Sequence, residues 1–86
     1  MLVGGVDRAY KIINGRTGRN YQPSSEYGTK CRQLMARHGV DKVCQVLAYA
    51  CRKNAEKGSD EWSRPATLFR PANFARWCDE MEADNG

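Results

Sequence analysis

Apolar residues recur three and four positions apart along most of this chain, and nowhere do apolar and polar residues alternate over a strand's length. Val6, Ala9, Tyr10 and Ile13 form the first stripe, which predicts a short helix with Asp7 as a cap near its start and Gly15 as its stop. The segment "GRTGRNYQP", residues 15–23, follows as a loop with two glycines and a proline. Ser24 or Ser25 is placed to cap a second helix, with stripe Tyr27, Cys31, Leu34, Met35 and His38 and a left-handed stop at Gly39. Gly28 weakens its first turn by about 1 kcal/mol relative to Ala. Asp41 is read as the cap of a third helix, striped by Val43, Val46, Leu47, Ala50 and Cys51 and running to about Lys57, where Gly58 ends it. A two-residue link makes the second and third helices close neighbours, crossing steeply.

The stretch "EWSRPATLFRPANF", residues 61–74, breaks this regularity with two Arg-Pro pairs, a Trp and two Phe. Proline stops helices, yet this much aromatic surface is costly to leave in water. A proline-bounded turn at 64–70 lets Leu68 and Phe69 point inward while Arg64 and Arg70 stay wet. Beyond it Pro71 suits the first turn of a last helix, striped by Phe74, Trp77, Cys78 and Met81. The large core formers Trp62, Leu68, Phe69, Phe74 and Trp77 all lie in this C-terminal third, so they are expected to form one aromatic cluster that plugs the bundle. The fold class predicted is all-α: a small bundle of about four helices with an aromatic, proline-bounded connection before the last helix. Residues 1–86 read as a single helical domain whose ends, 1–5 and 84–86, are expected to fray.

Composition narrows the possibilities. A chain of 86 residues makes one small domain, and 41% hydrophobic with 28% charged residues is normal for a soluble globule. No apolar run approaches the ~18 residues of a membrane span, and the start lacks the pattern of a secretory signal, so no membrane contact and a cytoplasmic location are expected. Cys31, Cys44, Cys51 and Cys78 contain no C-x-x-C pair, and His38 has no ligand partner at metal spacing; buried thiols are the first reading, ahead of disulfides or a metal site. At a helix C-terminus, His38 reads as an end cap or a half-buried ring. No P-loop motif is present, and the adjacent Asp60 and Glu61 cannot face one another as a dyad. No catalytic residues, metal or cofactor are therefore expected.

The termini carry a resemblance. "RPATLF", followed directly by "ANFARWCDE", resembles the ending of the conserved C-terminal domain of phage replisome organisers, the replication-initiation proteins of phages and prophages. The front, "AYKIINGRTGRNYQPSS", is similar to that domain's opening helix and Thr-Gly turn. Over about residues 9 to 80 the likeness marks Asn14, Thr17, Gly18, Tyr21, Arg64, Pro65, Thr67, Leu68, Phe69 and Phe74. It implies a small helical module of DNA replication, working in the cytoplasm of a bacterial host and meeting nucleic acid, a host or phage replication protein, or both. Family members usually carry this domain behind an N-terminal DNA-binding domain; this sequence reads as a stand-alone relative, and origin recognition is not part of what the likeness implies.

Charge divides the chain. Residues 1–57 hold eleven Lys/Arg against four Asp/Glu, and residues 58–86 hold three against six, a basic body with an acidic end. For single-stranded or non-specific nucleic acid the candidates are Arg16, Arg19 and Tyr21 in the glycine-bearing loop, Lys30 and Arg37 on one face of the second helix, and Arg52 and Lys53 on the third. Tyr21 is equally read as a staple of that loop onto the core. The competing class is a regulatory module docking on a host protein complex, with Arg64, Arg70, Asp79, Glu80 and Glu82 as candidate contacts. The opposed charges of the two parts also permit homo-oligomers.

Overall fold

A helix can end only if its last carbonyls and N–H groups find other partners, and here glycines in the left-handed region make those ends. The computed structural model describes the backbone of residues 3–58 and 60–85 and the side chains of residues 5–58 and 62–84. The first helix, α1, spans Val3–Thr17. It runs through Gly15, the expected stop, and ends at Gly18, where φ is 71° and the N–H bonds back to Asn14 O at 2.9 Å. Thr17 decides the position: its hydroxyl donates to Ile13 O at 2.7 Å and accepts from Arg19 N at 3.3 Å. Asp7 lies in the second turn and caps nothing.

Helix α2, Ser25–His38, has Ser24 as its cap, the side chain accepting from Tyr27 N. One residue, Gly39, then joins it to α3, Val40–Glu56, where two were expected. With φ at 92°, Gly39 sends its N–H to Met35 O to close α2 and offers its carbonyl to Val43 N to open α3. Asp41 is therefore not the cap. It sits in the first turn, where a carboxylate favours the positive end of the helix dipole, and pairs with Arg8 at 3.0 Å.

After α3 come a short 3₁₀ turn, Asp60–Ser63, a single helical turn α4, Pro65–Leu68, and the last helix α5, Pro71–Asn85. Residues 1, 2 and 86, within the ends expected to fray, lie outside the described residues, whereas residues 3–5 and 84–85 are helical. All described elements are helical, and none is long and apolar enough to cross a membrane. Helix α3 is the hub, packed against α1, α2, α5 and the 3₁₀ turn. Its stripe Val43, Val46, Leu47, Ala50 and Cys51 is buried throughout, facing Val6, Ala9, Tyr10 and Ile13 of α1 and Cys31, Leu34 and Met35 of α2.

The proline-bounded segment does fill this core, with one exception and a different layout. Leu68, Phe69 and Phe74 are each 1% exposed and Trp77 4%, but Trp62 is 56% exposed and belongs to no core cluster. Its neighbour Ser63, fully buried and bonded to Asn54 of α3 at 3.0 Å, pins the 3₁₀ turn the other way round and turns the indole out. The remaining rings do not gather together. Phe69 meets the ring of Tyr10 in α1 at 5.8 Å, Phe74 meets His38 of α2 at 5.0 Å, and Trp77 meets Tyr49 of α3 at 6.0 Å. Each aromatic of the C-terminal third thus fastens a different helix.

One core group is unsatisfied. Tyr10 is 3% exposed and its hydroxyl has no hydrogen-bond partner among the described residues; burial, then Cys31 and Tyr27, push its pKa up to about 12. A buried hydroxyl without a partner costs about 1–3 kcal/mol. Tyr10→Phe is therefore expected to stabilise the fold by about 1 kcal/mol, seen as a higher urea midpoint at unchanged slope. A lower midpoint would mean that the hydroxyl is bonded in solution.

Candidate nucleic-acid interface

Asn14 closes the loop between α1 and α2. Asn14 bridges the backbone of Tyr21 in both directions, its Nδ2 donating to Tyr21 O at 3.0 Å and its Oδ1 accepting from Tyr21 N at 2.8 Å. A side-chain amide carries a donor and an acceptor on one carbon, as a peptide group does, so it can stand in for a strand partner. The Tyr21 ring is half-buried and packs against the core, which makes it the staple of the loop. Arg16 and Arg19 flank this fixed turn and are exposed.

Beside the loop, α1 and α3 enclose an open groove of about 860 Å³. Small residues make its floor: Gly15 of α1 and Ala48 and Ala55 of α3, with nothing within 4 Å of the place where a Cβ on Gly15 would stand. Long cations, Lys11, Arg16 and Arg52, make its walls, with one carboxylate, Glu56, among them. Gly15 therefore shapes the groove instead of ending the helix. A second hollow of about 270 Å³ shares Arg16, Ala48 and Arg52 with it and adds Gln45, Tyr49 and Met81, so the surface continues over α3 to α5. Lys11, Arg16 and Arg19 make no ion pair among the described residues, and Arg52 lies 3.9 Å from Glu56 with its guanidinium 5.4 Å from the Tyr49 ring centre. So exposed and long a pair contributes little, and Arg52 remains available to an outside anion.

The other basic candidates lie elsewhere. Lys30 and Arg37 do share a face of α2, where they flank a recess of about 140 Å³ over Phe69 and Pro71, separate from the groove. Lys53 is turned to α5, 3.6 Å from Asp84. The acidic end meets this chain's own basic helix. Glu82 pairs with Lys42, which holds its carboxyl below the usual range, and Glu82 in turn raises the Lys42 pKa through the same hydrogen bond. Asp84 accepts from the Tyr49 hydroxyl at 2.7 Å, which lowers the carboxyl pKa and, with burial, raises the phenol to about 12. Glu80 lies 4.0 Å from Arg76 of its own helix. The two opposed charge sets thus meet inside one chain. Asp79 and Arg70 are exposed, and Arg64, also exposed, opens α4 with its carbonyl accepting from Thr67 and Leu68. Asp60 and Glu61 have side chains outside the described residues.

All four cysteines are free thiols; Cys31, Cys44 and Cys51 are buried and Cys78 half-buried. Burial pushes the Cys31 thiol up to about 11, so it stays protonated and unreactive at neutral pH.

Compared with protein-family models, curated proteins and solved structures, the chain finds no significant match. Its reading rests on its own geometry. Two groove features escaped the pattern of the sequence: Lys11, which lines the groove together with Arg16, and the small-residue floor. A run of Gly15, Ala48 and Ala55 on wet helix faces was the available signal, but it becomes one only when α1 and α3 are known to be adjacent.

Proposed function

We propose that this protein is a non-catalytic, nucleic-acid-binding helical module, of the kind that serves DNA replication in a phage or prophage. The observation that carries the reading is the groove between α1 and α3, lined by cations that lack strong partners while Glu82 and Asp84 of α5 are engaged by α3. Two arginines and a lysine along a concave, small-floored surface suit a phosphate backbone, since guanidinium groups bond phosphate oxygens in pairs and the floor lets the backbone approach. Arg19 extends the line of charge onto the rigid loop. The likeness to replisome organisers supports the replication setting. Its marked residues, however, build the fold: Asn14, Thr17 and Gly18 shape the loop, and Leu68, Phe69 and Phe74 fill the core. Docking of the acidic end on a host protein draws less support, because Glu82 and Asp84 have partners within the chain.

With Lys11, Arg16, Arg19 and Arg52 engaged, the log–log salt slope of binding is expected at about −3 to −4 on duplex DNA and shallower on single strands. Replacing Arg16 and Arg52 together by Gln should flatten the duplex slope by nearly 2 and leave the melting curve unchanged, because both side chains are exposed. Fluorescence anisotropy on labelled oligonucleotides across a salt series reads the slopes, and circular dichroism on heating reads the melting curve. An unchanged slope in the double variant moves the interface elsewhere, and no binding even at about 50 mM salt defeats the nucleic-acid reading.

A further inference from the structure

A recess of about 300 Å³ forms where the end of α3, the 3₁₀ turn, α4 and α5 converge. Trp62 makes one wall and Trp77 the base; Lys57 and Arg76 stand over the Trp77 ring, 6.0 and 5.2 Å from its centre. Thr67 and Asn73 complete the lining. The exposure of Trp62 is not the looseness of a surface loop. The residue after it is fully buried and bonded to Asn54, and Pro65, two residues further, is buried as well. A rigid turn therefore holds a 56% exposed indole beside two cations, at the loss of the apolar burial that the same ring would gain in the core.

We propose that this recess captures one unstacked nucleobase together with its phosphate, which makes the protein selective for single strands. The proposal deepens the nucleic-acid reading and rests on it. Trp62 offers a preset flat face on which any base can stack, the mode that single-strand-binding proteins use without sequence choice. Lys57 makes no ion pair among the described residues, and Arg76 only a 4.0 Å exposed pair with Glu80, so both are available to the phosphate. The Thr67 hydroxyl and the Asn73 side-chain oxygen make no hydrogen bond among the described residues; Asn73 spends only its Nδ2, on Thr67 O at 3.1 Å. They are placed to meet a base edge. The volume lies at the small end of ligand sites, about 300–1,000 Å³, the scale of a single nucleotide. In a duplex the base faces are stacked and cannot enter.

The test titrates the protein with an oligothymidylate and an oligouridylate of about eight nucleotides, an abasic oligomer of equal length, a blunt duplex, and thymidine monophosphate. Tryptophan quenching gives the stacking signal, and Trp62 supplies the accessible emission. Both single strands, and more weakly the mononucleotide, should quench it; the stronger of the two strands tells whether DNA or RNA is the natural source. Trp62→Ala should lose about 5- to 150-fold in affinity for the single strands, Trp62→Phe should recover part of that, and duplex and abasic binding should not change. Equal single-strand binding by wild type and Trp62→Ala overturns the recess and leaves the groove reading intact. Quenching by the mononucleotide in a protein whose salt slope ignores Arg16 and Arg52 upholds the recess and removes the groove. Absence of quenching by every oligonucleotide and by the mononucleotide overturns the proposal, including any case in which a peptide protects Trp62 instead.

Discussion

Phe69→Ala is expected to cost a large share of the fold's stability, lowering the urea midpoint and the melting temperature steeply. Phe69 is 1% exposed, follows the single helical turn α4, and sets its ring against Tyr10 of the first helix. Truncating a buried Phe costs about 3–5 kcal/mol, from lost transfer energy and from the void that remains. A domain of 86 residues has on the order of 4–13 kcal/mol to lose, at about 0.05–0.15 per residue. The void also opens where α1, α4 and the start of α5 depend on one another, so collapse cannot close it without moving a helix. Phe69→Leu, nearer in volume, should cost less than half as much and keep a cooperative transition. Urea unfolding followed by circular dichroism separates the two. If Phe69→Ala melts within a few degrees of wild type, the segment is not the closure of the core, since each kcal/mol shifts the midpoint of so small a domain by about 4–8 °C.

The two tryptophans should behave as opposites. Trp77→Ala removes a ring that is 4% exposed, packs edge-on against Tyr49, and carries Lys57 and Arg76 over its face, and it is expected to cost about 3–5 kcal/mol. Trp62→Ala removes a ring that is 56% exposed and lies outside the core cluster, so its effect on stability should stay within about 0.5 kcal/mol. The contrast matters because both residues belong to the same aromatic-rich third of the chain, and composition treats them alike. Parallel denaturant titrations of the two variants decide the matter. A Trp62→Ala loss that rivals Trp77→Ala would place Trp62 in the core after all and remove the basis for the base-binding recess.

What the chain alone made legible is what helices determine locally. A stripe at three- and four-residue spacing can bury itself only as a helix, so Val6 to Ile13, Val43 to Cys51 and Phe74 to Met81 announced their elements and their inward faces. Ser24 as a cap, Gly39 as a stop and Pro71 in a first turn were legible for the same reason, since each acts within four residues of itself. Where two glycines lay three residues apart, composition did not decide between them. Gly15 and Gly18 are chemically identical, and Gly18 ends α1 because the Thr17 hydroxyl and the Asn14 carbonyl meet there. The candidate site needed more than local rules. Arg16 and Arg19 were visible as exposed charge, but the groove depends on Gly15 and Ala48 lining one hollow, more than thirty positions apart in the chain. The same holds for the acidic end, which looked free for a partner until α5 was seen lying on α3, with Glu82 against Lys42 and Asp84 against Tyr49. Side-chain pairing falls off within a few ångströms, so which charges are spent and which remain for a ligand is settled by the placement of helices, and it left no trace in the order of the residues.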